Sequence, residues 1–343
     1  MTQIVYAGDE WKASLPGTNP YQPKIEVLTN GNRVIAYHQN PNAYYVIVDD
    51  EGTEVFRGTI APPEGATLTG VSLLALSGGG FVMSWQQGTS HAVQSFTASG
   101  EPIGSPISVG TQNQYDPLVD LGGGEWGFIE QKSSPGYEQV LHRYDEDGDP
   151  VSSSVIGGGY DGGVIALEQI EPLANGDLLL VERRMVGIGN FVREVIVTDA
   201  EGNRSEPVAL LGQVLALEGL DDGRFAAVSR DQGKVYIQFI DAAGAPQGAA
   251  VEVDPAPLFG GDVTLVAMDD GAFALVFDGP GSGMGSDTSD VWVQMFESDG
   301  SPMTEAVKVN RVGDGSQQWS DAVWANGELT IVWNDFRGGV VSG

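Results

Sequence analysis

An apolar stretch, a turn glycine and a second apolar stretch recur seven times along this chain, as "IEVLTNGNRVIAY", "LLALSGGGFVMSW", "LVDLGGGEWGFIE", "QIEPLANGDLLLVE", "LEGLDDGRFAAVS", "LVAMDDGAFALVF" and "DAVWANGELTIVW". The turn glycines are Gly31, Gly79, Gly124, Gly176, Gly223, Gly271 and Gly327, at intervals of 48, 45, 52, 47, 48 and 56 residues. A period of about 40–50 residues built from two strands around an Asn-Gly or Asp-Gly turn points to propeller blades. Those dipeptides are favoured because a two-residue hairpin turn needs positive φ.

Each unit has a second half, a strand, a turn and a shorter strand: "YYVIVDDEGTEVF", "AVQSFTASGEPIG", "VLHRYDEDGDPVS", "EVIVTDAEGNRSE", "VYIQFIDAAGAPQ" and "VWVQMFESDGSPM". Two halves give four strands, the content of one blade. Seven first halves stand against six second halves. Residues 3–15, "QIVYAGDEWKASL", read as the missing outer pair. The expectation is an all-β, seven-bladed β-propeller of four-stranded blades forming one domain over residues 1–343. Blade seven would take its inner strands from 321–333 and its outer strands from the N-terminus, closing the ring and removing a free sheet edge. Blade starts are expected near residues 21, 68, 114, 163, 213, 261 and 317. Phe81, Trp126, Leu178, Phe225, Phe273 and Leu329 share one aligned position and read as packing between adjacent blades.

Composition agrees with an all-β reading. No stretch repeats apolar residues at helical spacing, and 41% of the 343 residues are hydrophobic, enough to build a core. The formal charge is −31, from 47 acidic and 16 basic residues. Such a field repels phosphate backbones and anionic lipid heads, which argues against nucleic-acid partners and membrane surfaces. It suits solubility in a salty medium or the gathering of cations. The chain has no cysteine, which excludes disulfides, thiolate metal sites and cysteine nucleophiles. No run reaches the roughly 18 apolar residues of a membrane span. Residues 1–20 lack the basic and apolar regions of a signal peptide. The chain is therefore expected to be cytoplasmic or a monomeric piece of a larger exported polypeptide, and the ending "RGGVVSG" fits a cut piece.

The units resemble a repeat of large bacterial secreted and surface proteins, often those carrying RTX-type calcium-binding repeats. That pattern runs through proline, apolar alternation, "DGGFVVTW", a variable loop, "QRFDAAGNPVG" and a short valine strand. "SGGGFVMSWQQG" with "VQSFTASGEPIGSPISV" is similar to it, as are "VYIQFIDAAGAPQGAAVEV" and the "WNDFRGG" run. Blades three and four depart from it, with Glu130 and Glu182 in place of the tryptophan. No glycine-aspartate nonapeptide run lies in the chain. The resemblance covers nearly all of the chain and implies a propeller serving adhesion or spacing, secreted or at the cell surface.

In a four-stranded blade the two short turns fall on one face. The loops joining strands two and three, and the blade-to-blade connections, fall on the other. The second set varies in length and content, as a binding face requires. It offers Tyr37, His38, Trp85, Gln86, Glu130, Gln131, Glu182, Arg183, Arg184, Arg230, Asp231, Asp278, Asn334, Asp335 and Arg337, with Tyr21, Tyr115, Tyr160 and Trp319 on the connections. Arg183, Arg184, Arg230 and Arg337 recur at matching loops and could each grip a carboxylate with two N–H groups. The competing reading pairs them with Glu182, Asp231 and Asp335 as charge neutralisation. Trp85 and Trp319 offer stacking surfaces.

Calcium is the candidate metal. "YDEDGDP" sets Asp145, Asp147 and Asp149 at alternate positions around Gly148, like the start of an oxygen-ligand loop. The same turn forms elsewhere without those acids, and the later bidentate Glu is missing. The Gly/Ser-rich insertion 278–290 carries Asp278, Asp287 and Asp290, which could also gather a cation or ligand. His38, His91 and His142 lack zinc-ligand spacing, and no G-x-S-x-G elbow appears. The reading is a non-enzymatic binding, adhesion or structural module that holds a glycan or protein on the loop-bearing face. The alternative is a glycoside hydrolase in which Glu130 works with Glu182 or Asp278.

Overall fold

In the computed structural model each pair of repeat halves becomes one antiparallel sheet. The structure describes residues 21–88, 90–109, 118–132, 138–158, 165–187, 190–199, 201–253, 263–281, 289–311 and 315–336. Blade 1 comprises β1 (Tyr21–Val27), β2 (Arg33–Gln39), β3 (Asn42–Val48) and β4 (Glu54–Ile60). Blade 2 comprises β5 (Leu68–Ala75), β6 (Phe81–Gln87), β7 (Ser90–Phe96) and β8 (Pro102–Val109). Blade 3 comprises β9 (Leu118–Gly122), β10 (Glu125–Gln131), β11 (Gln139–Tyr144) and β12 (Pro150–Gly157). Blade 4 comprises β13 (Ile165–Pro172), β14 (Leu178–Gly187), β15 (Asn190–Thr198) and β16 (Val208–Ala209). Blade 5 comprises β17 (Gln213–Gly219), β18 (Phe225–Asp231), β19 (Lys234–Ile240) and β20 (Pro246–Val253). Blade 6 comprises β21 (Val263–Ala267), β22 (Phe273–Pro280), β23 (Ser289–Phe296) and β24 (Val307–Lys308). In every blade the strands neighbour one another in chain order.

Among the described residues the propeller has six four-stranded blades, not the seven expected. The residues expected to found a seventh form a two-stranded hairpin, β25 (Gln317–Ala325) with β26 (Glu328–Asp335). The miscount has a physical cause. A turn glycine between apolar stretches marks a hairpin, and a hairpin is half a blade. The second-half pattern, present six times, tracks complete sheets. Residues 3–15, read as outer strands closing the ring, lie outside the described residues. Expected starts at 21, 68, 213 and 317 coincide with Tyr21, Leu68, Gln213 and Gln317.

The hairpin sits between blades 6 and 1. Trp324, Leu329, Ile331 and Trp333 pack on Val266, Ala274 and Val276 of blade 6. The Ile25 N–H of blade 1 donates to Asp321 Oδ2 at 3.0 Å, and Thr264 Oγ1 donates to the Ser320 carbonyl at 3.1 Å.

Most turns differ from the two-residue type read from the sequence. The Leu28 carbonyl accepts from Gly31 N–H at 2.8 Å while Leu28 N–H donates to Asn32 O at 2.8 Å. Gly31 has φ +88° and Asn30 stays out of the left-handed region. This is the longer turn in which one glycine forms a bulge. Two-residue turns with both central residues at positive φ occur at β9–β10 (Gly123 and Gly124, +64° and +87°), β18–β19 (Gln232 and Gly233, +47° and +82°) and β25–β26 (Asn326 and Gly327, +54° and +80°). The aligned apolar positions pack between blades as expected. Phe273 stacks on Phe296 at 5.3 Å and meets Phe239 of blade 5 edge-on at 6.1 Å. Phe81 stacks on Phe96 at 4.9 Å, with Tyr45 of blade 1 edge-on at 5.5 Å.

Candidate functional site

The predicted binding residues divide sharply by burial. Trp85 lies in the core shared by blades 1 and 2 and is 2% exposed, so its ring faces protein. Trp319 is half-buried on the loop side with φ +56°. Its N–H donates to Asp278 Oδ2 at 3.0 Å, and its ring lies 6.1 Å from Tyr21 and 5.7 Å from Phe336. Tyr21 in turn stacks on His38 at 5.4 Å. The four rings form one aromatic cluster where the hairpin meets blade 1. Burial pushes the His38 imidazole below its ordinary value, so it is neutral at pH 7. Asp335 accepts from Gln317 Nε2 at 3.2 Å. Arg230 is the next-to-last residue of β18, opposite Gln213 and Val235. Arg337, Tyr115, Tyr160 and Asp287 lie outside the described residues.

Blade 4 concentrates the charge. β14, with 10 residues, is the longest described strand, and its pairing with β15 runs to Gly187 and Asn190. Glu182 is 2% exposed and accepts from Arg204 at 3.0 and 2.6 Å, while Arg204 also donates to the Ile156 carbonyl of blade 3 at 3.0 Å. Buried Glu168 meets Arg193 at 3.0 Å and Arg183 at 3.4 Å. Glu194 accepts from Arg184 at 2.9 and 2.5 Å. The predicted neutralisation therefore exists with other partners. Sequence reading missed Glu168, Glu194, Arg193 and Arg204, because pairing across strands depends on register.

The arginine side chains nearest the hairpin tip are only partly absorbed by these pairs. Arg183 and Arg184 keep 37% and 32% of their side-chain surface in water. Beside them Phe191 and Val186 are 45% and 51% exposed. The Arg183 guanidinium lies 5.3 Å from the Phe191 ring centre. The tip of blade 4 thus offers Arg183 beside an aromatic ring on one face of its sheet and Arg184 on the other.

The carboxylates proposed as a catalytic pair are engaged elsewhere. Asp278 is 3% exposed and accepts from Trp319 N–H and Ser320 Oγ. Glu130 Oε2 lies 2.9 Å from His142 Nε2, whose Nδ1 is 3.0 Å from Ser153 Oγ. Asp290 is fully buried, with Asn310 Nδ2 at 2.7 Å and Lys308 at 3.6 Å.

Asp145 holds its own turn. Its Oδ1 accepts from the Asp147 and Asp149 N–H groups at 3.1 and 2.8 Å. Asp49, Asp199 and Asp241 cap the equivalent turns of blades 1, 4 and 5 in the same way. Among the described residues the three acids whose oxygens gather within 4.8 Å are Asp49, Asp50 and Glu51, not Asp145, Asp147 and Asp149. Asp145→Ala is expected to cost about 1–2 kcal/mol, equally in chelator and in millimolar calcium. Urea unfolding in both buffers checks this. A cleft of about 490 Å³ opens on the short-turn face between blades 1 and 2, lined by Asn30, Asn32, Val55, Phe56, Thr97 and Ser99 among others.

No protein-family model and no curated protein matches the chain. Solved structures do. The polysaccharide lyase Uly1 superposes with TM-score 0.57 at 10% identity, over 97% of this chain and 90% of that one. The uncharacterized protein lmo1340 from Listeria monocytogenes EGD-e gives 0.56 at 7% identity, covering 95% and 92%. A protein of unknown function from Dyadobacter fermentans DSM 18053 gives 0.51 at 14% identity, covering 92% and 90%. At such identities the likeness is one of fold, and that fold is an all-β propeller of four-stranded blades.

Proposed function

We propose that this propeller is a non-enzymatic binding module of a secreted or cell-surface bacterial protein, and that it takes a carboxylate-bearing glycan or peptide at the tip of blade 4. The carrying observation is the juxtaposition of partly exposed Arg183 with the exposed Phe191 ring, with Arg184, also partly exposed, on the opposite face of the same strand. Guanidinium groups recognise carboxylates through paired N–H donors, and an exposed ring supplies a stacking surface. The chain's charge of −31 disfavours a dense polyanion. It tolerates acids spaced along a neutral chain, because remote charges are screened beyond about 8 Å at physiological salt.

The hydrolase alternative requires two carboxyl groups facing each other across a sugar. The burial and bonding of Glu182 and Asp278 favour binding over hydrolysis. The likeness to a polysaccharide lyase makes a cleavage assay the proper companion test.

Hyaluronan oligosaccharides, which alternate one carboxylate with a neutral sugar, and glycine-serine peptides ending in a free carboxylate are suitable probes. Each is titrated at 150 mM salt against the native chain. The expectation is that Arg183→Ala with Arg184→Ala weakens binding at least tenfold, a loss of about 1.4 kcal/mol. Asn32→Ala, on the opposite face, should leave it intact. Binding that survives the arginine changes but falls with Asn32→Ala would place the ligand on the wrong face of this proposal. Release of new sugar ends would replace it with the enzymatic reading.

A further inference from the structure

Four acidic residues of the innermost strands meet around the propeller axis. Glu26, Glu171 and Glu218 occupy one register position, opposite Val34, Leu179 and Ala226 respectively. Asp321 of β25, opposite Val332, lies two residues before the corresponding position, on the same face of its strand. Asp321 accepts the Ile25 N–H of blade 1 at 3.0 Å, while the Glu171 and Glu218 carboxyl groups approach the backbone of Gly219 in blade 5 and Ala267 in blade 6, the next inner strands around the ring. The Glu171 carboxyl also lies against the Gly219 Cα, whose missing Cβ would stand 3.9 Å from Oε2. An innermost strand has an unpaired edge, and its N–H groups need acceptors. Asp321 provides one and thereby ties the hairpin to blade 1.

The same carboxyl groups face one another. Glu171 of blade 4 feels Glu218 beside it and Glu26 of blade 1, which is not its neighbour in the ring. Glu218 feels Asp321 of the hairpin. Blades that do not adjoin can interact in this way only across the axis. At the matching register β5, β9 and β21 carry Leu74, Val119 and Val266, which bring no charge. Asp120 of β9 stands apart, bonded to Ser77 N–H at 3.2 Å. Lys24 lies two residues from Glu26 on the same face of β1.

We propose that the axis of this propeller is a proton-binding site, in which protons held by Glu171 and Glu218 keep blades 4, 5 and 6 together, with Glu26 and Asp321 as the acids that face them. With the protons in place the mutual repulsion of these acids is reduced. With the protons lost, like charges face each other across the axis.

Burial, with Glu218 and Glu26 nearby, holds the Glu171 carboxyl well above the usual carboxylate range. Burial, with Asp321 adding to it, pushes Glu218 up to about 8. The folded protein therefore binds these protons more tightly than the unfolded chain does. The stabilisation they give is complete below the ordinary carboxyl value of 4.5 and is lost as pH rises to about 8. Burial lowers the His38 and His91 imidazoles from their ordinary value, the opposite direction to these carboxyl groups.

The experiment is thermal unfolding by circular dichroism between pH 5.5 and 9, on the native chain and on Glu171→Gln with Glu218→Gln. Glutamine keeps an oxygen acceptor and cannot ionise. The native Tm should fall by roughly 5 °C or more across the window. The double variant should show a flat profile and melt higher than the native chain at pH 9. A flat native profile, or a double variant that falls as steeply as the native chain, overturns the proposal. If the double variant does not fold, carbon-13 NMR of the glutamate carboxyl groups of the native chain decides. A resonance titrating above pH 6.5 upholds the proposal, and titration of every glutamate below pH 6 overturns it.

Discussion

Arg204→Ala is expected to destabilise the fold by about 3–5 kcal/mol, because it strands a buried charge. Glu182 is 2% exposed, and both its oxygens accept from the Arg204 guanidinium. The same guanidinium satisfies the Ile156 carbonyl of blade 3, so its loss also orphans a backbone acceptor across the blade interface. Water cannot easily replace it there. A Cβ on Gly157 would come within 2.7 Å of Arg204 and 2.8 Å of Glu182, so the surroundings are close-packed. Arg204→Lys keeps the charge and loses the paired geometry, so it should fall between native and alanine. Adding Glu182→Gln to Arg204→Ala should recover part of the loss, since the stranded charge is gone. Urea midpoints of the three variants test the ordering. An Arg204→Ala variant within 1 kcal/mol of native would show that the pair is solvated.

Phe273→Ala should cost a similar amount, about 3–5 kcal/mol, by a different route. The ring is fully buried, stacked on Phe296 within its own blade and edge-on to Phe239 of blade 5. Deleting it removes apolar contact and leaves a void between two sheets. Those sheets cannot close over it without losing their pairing register. Leu220 and Leu275 belong to the same cluster, so the cavity wall is shared by both blades. Phe273→Leu should recover much of the loss, because leucine refills most of the space. Equal destabilisation by leucine and alanine would show that ring stacking, and not volume, holds this interface.

The strands and the inter-blade core were legible because each depends on local pattern. Turn glycines such as Gly31 and Gly79 marked the hairpins, and the residue two places after them marked the packing position. Even the axis left a trace. Glu26, Glu171 and Glu218 each stand five residues before a turn glycine, an offset that the glycine alignment contains. Blade 1 broke the core pattern with Arg33, a buried residue whose guanidinium reaches Glu328 of the hairpin at 3.9 Å.

The sequence by itself determined that the chain is a repeat of β-hairpins, where each hairpin turns, and which side chains face the neighbouring sheet. Strand period and glycine conformation act over a few residues, and neither needs the rest of the molecule. Tertiary structure decided the number of complete blades, since a hairpin becomes a blade only when another pair of strands bonds to its outer edge. It also decided which acids are free. Glu182, Asp278 and Asp145 read alike as candidate carboxylates, yet one is locked to Arg204, one to the Trp319 backbone and one to its own turn. A carboxylate's chemistry is set by the donors and charges within a few ångströms. In a ring those neighbours come from strands dozens to hundreds of residues away.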